Sequence, residues 1–217
     1  VPKMKARHLT PLLLLVSALF VGTALAATTI TIPYTEFNAG MTEHPTGYAS
    51  DTWSLRIINS LNFSNTSSIA KIFIANSTGT GFFAINVNLA PELNDPTKYS
   101  MDLFIASKVD PGPSDWTHIG MINNLNYGKA YYIRVDNAGT LTVTDGLKTL
   151  LTNPVNKFPA INIRTEGTES TATSGYVQVT VDKWFATPTE TVNAWIPVII
   201  VFAMVSMALG LMKRLSQ

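Results

Sequence analysis

Acidic pairs and histidines are the residues of this sequence whose types could support acid–base or metal chemistry. Glu166 and Glu169 form the one close pair of glutamates in residues 27–193, in a polar, turn-rich stretch. Glycoside hydrolysis needs two carboxyl groups about 5–10 Å apart across a walled cleft, one sheltered enough to stay protonated. A polar loop favours solvated charges instead. His44 and His118 are far apart and lack the further ligands that a zinc or copper site needs.

The stretch Asp110-Pro-Gly-Pro-Ser-Asp115-Trp116 is the best candidate for a specialised loop. Its two carboxylates could join backbone carbonyls around Ca²⁺, which takes about six to eight oxygen ligands. Their spacing matches no defined calcium loop, and the alternative is a rigid turn capped by two acids. Trp116 and Tyr131 could form a stacking platform for the rings of a sugar ligand, or both could be core residues.

Three N-glycosylation sequons lie close together, at Asn62, Asn65 and Asn76. Modification requires an exported chain and an exposed loop. Exposed loops are predicted around Asn62 and Asn65, and the greatest exposure is predicted for Asn76, in a turn before Gly79. The alternative is chance, because a sequence rich in Asn, Ser and Thr contains sequons by accident.

Other catalytic signatures are absent from the sequence. It contains no cysteine, which excludes a disulfide framework, a thiol nucleophile and thiolate metal sites. It also contains no Gly-x-Ser-x-Gly elbow for a serine nucleophile. The sequence therefore predicts a protein that is not an enzyme and that binds no cofactor or metal.

Both ends of the chain are apolar and carry basic flanks, which predicts export and membrane anchoring. Residues 1–26 have the basic, apolar and small-residue order of a secretory signal peptide, with cleavage expected after Ala26. The uncharged run 194–212 is close to the length of about 20 residues that spans a bilayer. Its predicted interface anchors are Trp195, Lys213 and Arg214. Without cleavage the chain would be a two-span hairpin, with the same middle region outside the cell.

The middle region is predicted to be one extracellular domain, residues 27–185. A juxtamembrane linker, 186–193, follows it, and the cytoplasmic tail is 213–217. All 14 acidic residues and 10 of the 15 basic residues lie between the two ends, so this region has a net charge of −4. A mildly acidic domain has no basic stripe for nucleic acid, so we expect no nucleic-acid partner.

Alternation of apolar and polar residues predicts an all-β fold without long helices between the ends. Turn residues between many short strands favour an antiparallel β-sandwich of the jelly-roll kind. The predicted strands are Thr28–Tyr34, Trp53–Ile58, Ala70–Ile74, Phe82–Leu89, Tyr99–Ala106, Ala130–Val135, Thr140–Thr144, Ile161–Arg164 and Tyr176–Asp182.

From Ala130 to Trp184 the order of features is more specific. Tyr131-Tyr132-Ile133-Arg134-Val135, a turn, Thr140-Leu141-Thr142-Val143, Asp145-Gly146 and finally Gly175 to Asp182 follow one another. This order resembles the last strands of concanavalin A-like and laminin G-like jelly rolls. The resemblance covers the last third of the domain, and it implies a curved sandwich whose concave face or rim loops bind carbohydrate or protein. The glycosidase branch of that group has acids clustered on one strand, as in Glu-x-Asp-x-x-Glu, and this chain has no such cluster.

Two function classes follow from these patterns, and the sequence favours the first. The first is a membrane-anchored structural surface protein of a prokaryotic, archaeal-type cell envelope or of an enveloped archaeal virus. It would lie on the lipid bilayer and associate with itself or with another envelope or virion protein. The second is an adhesion module that binds a carbohydrate or other surface ligand. An accessory subunit of a membrane complex is a weaker alternative.

Overall fold

A computed structural model describes residues 27–167, 169–182, 200–201 and 204–205. The predicted signal peptide, linker and tail, and the anchors Trp195, Lys213 and Arg214, lie outside the described residues. The predicted span 194–212 is described only at 200–201 and 204–205, which are helical. Among the described residues, no helix has both the length and the apolar character needed to cross a bilayer. Ala27–Trp184 forms a compact unit of its own.

This unit is an antiparallel β-sandwich with a short 3-10 helix at Tyr34–Asn38. Its strands, within the described residues, are β1 Thr28–Pro33, β2 Thr42–Pro45, β3 Trp53–Asn59, β4 Asn62–Phe63, β5 Ala70–Ala75, β6 Ala84–Pro91, β7 Lys98–Ala106, β8 Trp116–Asn126, β9 Ala130–Val135, β10 Thr140–Thr144, β11 Thr149–Pro154, β12 Asn162–Glu166, β13 Ala172–Ser174 and β14 Tyr176–Asp182.

Two six-stranded sheets make up the sandwich. The first sheet has the order β1-β14-β3-β9-β10-β11, and the second has the order β2-β12-β5-β6-β7-β8. The short strands β4 and β13 pair separately. Strands distant in sequence are therefore neighbours in space, as β12 and β5 are in the second sheet. The predicted all-β, antiparallel fold is confirmed.

The core lies between the sheets and follows the alternation of the strands. Trp53, Leu55 and Ile57 of β3 are fully buried, and they alternate with half-buried polar or apolar residues that face away from the core. The indole of Trp53 donates a hydrogen bond to the backbone oxygen of Phe158, at 2.9 Å, which satisfies its one polar atom in the interior.

All nine predicted strands are present, and β9, β10 and β14 have the predicted bounds. The alternation rule missed β2, β8, β11 and the short pair. In β8 the buried residues Ile119, Ile122 and Leu125 recur every third position rather than every second. Register shifts opposite this strand and the positive φ of 60° at Asn124 account for that spacing.

Val179 and Thr180 of β14 test the orientation of the strand. Val179 is fully buried, whereas Thr180 is half-buried and its hydroxyl lies 3.1 Å from that of Thr29. Val179→Asp would bury an unpaired carboxylate, so we expect the free energy of unfolding to fall by about 3–5 kcal/mol. Thr180→Asp should cost less than about 1 kcal/mol. Urea unfolding followed by tryptophan fluorescence measures both, and equal losses would contradict the assignment of faces.

Candidate functional site

Antiparallel register aligns side chains in rows across the outer face of the second sheet, the face away from the core. The strands β2, β12, β5, β6, β7 and β8 each contribute one residue to the first row. That row is Glu43, Arg164, Phe73, Asn86, Phe104 and His118. The second row lies two residues further along the strands, and it is Glu166, Lys71, Asn88, Asp102 and Met121.

A groove of about 670 Å³ lies on this face. Ligand sites commonly have volumes of about 300–1,000 Å³. Four aromatic rings line the groove, together with the loop 111–113 and seven residues that carry polar groups. The rings are Phe73, Phe82, Phe104 and Trp116, and the residues with polar groups are Lys71, Asn86, Asn88, Arg164, Thr165, Glu166 and Glu169.

Small side chains make room for the aromatic end of the groove. Ala75 and Ala84 are fully buried on the outer face, where a sheet exposed to water would carry polar residues. Phe82 and Trp116 pack over them, and the Trp116 ring lies 5.6 Å from that of Phe73. The outer face thus has an apolar patch held together by ring contacts rather than by the main core.

Two carboxamides lie in the groove without complete hydrogen bonding. Asn86 is only 8% exposed and lies between Phe73 and Phe104 in the first row. The side-chain oxygens of Asn86 and Asn88 are buried and have no hydrogen-bond partner among the described residues. A buried acceptor left unpaired costs about 1–3 kcal/mol. Rotation of a carboxamide exchanges its oxygen and nitrogen, so each can offer either a donor or an acceptor to a ligand.

Asp110 and Asp115 hold the loops at the edge of the groove. The carboxylate of Asp110 accepts hydrogen bonds from the backbone nitrogens of Gly81 and Phe82, at 2.7 and 3.1 Å. The carboxylate of Asp115 accepts from Lys108 Nζ at 2.9 Å and from the Gly112 nitrogen at 2.8 Å.

These bonds favour the rigid-turn interpretation of Asp110 and Asp115 over calcium binding, because protein donors already engage both carboxylates. The described residues contain no group of three or more His, Asp or Glu that could hold a metal ion. The hydrogen bonds from Lys108 and then from Gly112 hold the pKa of Asp115 below its ordinary value. The contribution of a carboxylate with a lowered pKa is present at neutral pH and is lost only as the pH falls into the acid range.

Arg164 connects the sheet to the loop that carries Phe82. It is 2% exposed, and its Nη2 lies 2.7 Å from Glu43 Oε1 and donates to the backbone oxygen of Gly79. Its guanidinium carbon lies 4.1 Å from the centre of the Phe82 ring. Glu43 in turn accepts a bond from the Gly79 nitrogen, at 3.0 Å. These contacts hold the loop that carries Phe82, which is one wall of the groove, against the second sheet.

Replacement of Arg164 should loosen that wall. We expect Arg164→Met to lower the free energy of unfolding by roughly 3 kcal/mol, because it removes the cationic partner of Glu43 and the donor to the Gly79 carbonyl. Amide hydrogen exchange at Gly79 should accelerate in the same variant. Arg164→Lys should restore part of both losses, since it keeps the charge but not the planar stacking group.

The control for this change is Arg56→Met on the first sheet, where Arg56 is half-buried and 3.4 Å from Gln178 Oε1. It should cost less than about 1 kcal/mol and leave the Gly79 amide unaffected. Unchanged protection of Gly79 in Arg164→Met would contradict the role assigned to this side chain.

Trp116 and Tyr131, the two residues of the predicted platform, lie in different parts of the molecule. Trp116 is half-buried and lines the groove. Tyr131 is 2% exposed in the core, and its hydroxyl accepts a hydrogen bond from the Asn126 nitrogen at 2.9 Å. A ring buried in the core offers no face to a ligand, so the structure removes Tyr131 from the platform. Among the rings of the groove, Trp116 and Phe104 are half-buried, whereas Phe73 is only 6% exposed.

The other residues singled out by the sequence are also accounted for. His44 lies 2.7 Å from Glu36, and His118 lies 2.7 Å from Asp102 on the outer face of the second sheet. Glu169 pairs with Lys71 at 3.0 Å, and both Glu166 and Glu169 line the groove. Both glutamates are exposed, as expected for solvated charges, but they lie at the border of the groove and not in a loop away from it.

Exposure differs among the three sequon asparagines. Asn62 and Asn65 are exposed, whereas Asn76 is half-buried. The Asn76 side-chain oxygen accepts a hydrogen bond from the Phe83 nitrogen at 2.7 Å, which ties the residue to the chain directly before β6. The prediction that Asn76 is the most exposed of the three is therefore wrong.

Sequence reasoning missed the central residues of the groove. Asn86 and Asn88 alternate with apolar residues in Ile85-Asn86-Val87-Asn88-Leu89. Asparagine is depleted in strands, so two of them on one face of a predicted strand are a detectable signal. Phe73 and Arg164 gave no such signal, because their place in the row depends on the pairing of β5 with β12.

Comparisons with known proteins give similarities of structure. The chain is similar to a legume lectin-like domain from Entamoeba histolytica, with a TM-score of 0.48 and 10% identity over 74% of this chain and 91% of that one. It is similar to the VIP36 exoplasmic/lumenal domain in a Ca²⁺/Man-bound form, with a TM-score of 0.47 and 10% identity over 75% and 83% of the two chains.

It is also similar to an alginate lyase from Pseudomonas aeruginosa, with a TM-score of 0.35 and 14% identity over 61% of this chain and 64% of the lyase. No family model and no curated protein matches the chain. A legume lectin-like domain is thus among the solved structures to which this chain is similar.

Proposed function

We propose that the protein is a carbohydrate-binding module and that the groove on the outer face of the second sheet binds a short stretch of an uncharged oligosaccharide. The observation that carries this proposal is Asn86, a buried carboxamide between two phenylalanine rings whose oxygen has no hydrogen-bond partner among the residues that the structure describes. Of the two function classes that the sequence leaves open, this groove favours the adhesion module over the structural surface protein.

The chemistry of a sugar ring matches the lining of the groove. One face of a pyranose carries C–H groups, which pack against aromatic rings, and its rim carries hydroxyls, which both donate and accept hydrogen bonds. Phe104 and Trp116 are half-buried and line the groove with part of their surface accessible. Asn86 and Asn88 supply polar groups beside these rings. Sites of this kind combine apolar walls with a few placed polar groups.

Charge pairing explains why we propose an uncharged sugar. Arg164 is paired with Glu43 at 2.7 Å, and Lys71 is paired with Glu169 at 3.0 Å. Both cations of the groove thus have an acidic partner, and Glu166 adds a further negative charge. An acidic sugar would have to compete with these carboxylates, whereas a neutral one interacts through hydrogen bonds and ring contacts.

We further propose that the site binds without cleaving its ligand. Glycoside hydrolysis requires one carboxyl group sheltered enough to remain protonated. Glu166 and Glu169 are exposed, and Glu169 is engaged by Lys71. Incubation of the protein with its best oligosaccharide ligand, followed by mass spectrometry, should return the ligand intact, and a shortened product would contradict this part of the proposal.

The apolar ends of the sequence support a proposed location at the cell surface. A signal peptide at 1–26 and an anchor at 194–212 would place the sandwich outside the membrane, where glycans are found. Protease added to intact cells should then digest the sandwich and leave a membrane fragment that contains Lys213.

Asn86→Ala tests the binding site against a purely structural role. We expect it to weaken binding of the best neutral oligosaccharide from a glycan array at least tenfold by calorimetry, since one lost hydrogen bond corresponds to roughly that factor. The free energy of unfolding should stay unchanged or rise slightly, because the variant removes a buried acceptor that no described residue donates to.

Asn59→Ala is the matched control, because Asn59 is a fully buried asparagine whose side-chain oxygen accepts from the Leu61 nitrogen at 3.0 Å. It should destabilise the fold by about 1–3 kcal/mol and leave affinity unchanged. If no glycan binds, or if Asn86→Ala destabilises the fold without changing affinity, the proposal is wrong. Crosslinking of native membranes that captures regular multimers would then favour the structural surface protein.

A further inference from the structure

A second groove, of about 510 Å³, lies apart from the first and shares no lining residue with it. Segment 60–66 forms one side, and the end of β6 together with residues of the β6–β7 and β8–β9 connections forms the rest. Its rings are Phe63, Pro91, Pro96 and Tyr127. The ring of Tyr127 is anchored against Tyr99, with the two centroids 5.0 Å apart. Hydroxyl and amide side chains of segment 60–66 complete the lining.

Two of the sequon asparagines, Asn62 and Asn65, line this groove. Asn62 lies in β4, and its side-chain nitrogen donates to Ser174 Oγ at 2.9 Å. The hydroxyl of its sequon, on Ser64, donates to the Thr171 carbonyl at 3.1 Å. The side-chain nitrogen of Asn62 is therefore engaged by Ser174 of β13, and the hydroxyl of its sequon is engaged by Thr171, just before β13. Strand β13 pairs with β4.

Asn65 has a different environment. It is exposed in the loop after β4, and its side-chain oxygen accepts from the Ser67 nitrogen at 2.5 Å. That bond orients the carboxamide through its oxygen, and no described hydrogen bond uses its nitrogen. Thr66 and Ser67 are exposed as well, so the whole sequon is accessible to an enzyme.

We propose that Asn65 is N-glycosylated and that the first sugar of this glycan packs in the second groove against Phe63. In the modification the bond between the anomeric carbon of a lipid-linked sugar and its phosphate oxygen breaks, and a bond from that carbon to Asn65 Nδ2 forms. The carboxamide loses one proton, and the lipid phosphate leaves. The predicted export of the chain brings Asn65 to the compartment where such donors act.

The groove is suited to hold an attached sugar. Phe63 and Asn65 are two residues apart and line the same groove, so a sugar on Asn65 is held next to the Phe63 ring by the covalent link. An attached ligand needs little intrinsic affinity, because its effective concentration is high. The C–H face of the sugar would cover ring surface that otherwise faces water, which stabilises the folded state.

Mass spectrometry of the protein from its native source tests the modification site. Peptide mapping before and after enzymatic deglycosylation should find a glycan on Asn65, with Asn62 and Asn76 unmodified. Asn65→Gln and Ser67→Ala should each abolish it, and Ser67→Ala does so while it keeps Asn65 itself. An unmodified Asn65, or glycans at the other two sequons instead, overturns the proposal.

Thermal unfolding tests the packing. The glycosylated protein should melt about 2–4 °C above the deglycosylated one. This difference should vanish in Phe63→Ala and persist in Tyr132→Ala, a half-buried aromatic residue outside the groove. A difference that persists in Phe63→Ala overturns the assigned contact. The first groove shares no lining residue with this site. The two proposals can therefore be tested independently, and the failure of one leaves the other to be decided by its own experiment.

Discussion

The register of the second sheet is the constraint on which the groove depends. Side chains of a strand alternate between two faces, so one pairing frame across β12, β5, β6, β7 and β8 decides which residues share the outer face. In the observed frame Asn86 lies between Phe73 and Phe104. A slip of one residue would exchange this row for the apolar residues that now fill the core, such as Ile72, Val87 and Leu103. The stability of the core therefore also specifies the site.

Two features of the groove have opposite effects on stability. Its apolar end stabilises the folded state, whereas its polar groups lack some hydrogen-bond partners among the described residues and so destabilise it. Ring packing over Ala75 and Ala84 and the Arg164 arrangement hold the walls without a ligand. The oxygens of Asn86 and Asn88 have no partner in the described part of the chain, and a buried acceptor without a partner lowers the stability of a folded protein. Local costs of this kind concentrate at binding sites, because a ligand that completes the hydrogen bonds recovers them. Asn59 differs from Asn86 in that its oxygen accepts from the Leu61 nitrogen, whereas its buried nitrogen is the atom without a partner among the described residues.

Strand positions were predictable where one face of a strand contacts a uniform core. In β14 Val177, Val179 and Val181 alternate with polar residues, and the predicted bounds are the observed ones. The edge strand β8 was not predictable by that rule, because bulges change the spacing of its buried residues. The sequence predicts Trp116 as a candidate ring of a ligand platform, but it does not predict the rings beside it, since pairing of β5 with β12 joins residues about ninety positions apart. The burial of Tyr131 was not predictable either. Alternation shows which residues share a face of a strand, but it does not show which of the two faces packs against the second sheet.

The most direct measurement of the central claim is a nuclear magnetic resonance titration of the protein with short neutral oligosaccharides. The side-chain NH₂ signals of asparagines and the indole signals of tryptophans report on the groove without any mutation. The account predicts saturable shifts for the carboxamides of Asn86 and Asn88 and for the indole of Trp116, while that of the buried Trp53 stays unchanged. Shifts confined to other surfaces, or no shifts with any neutral oligosaccharide, would contradict it.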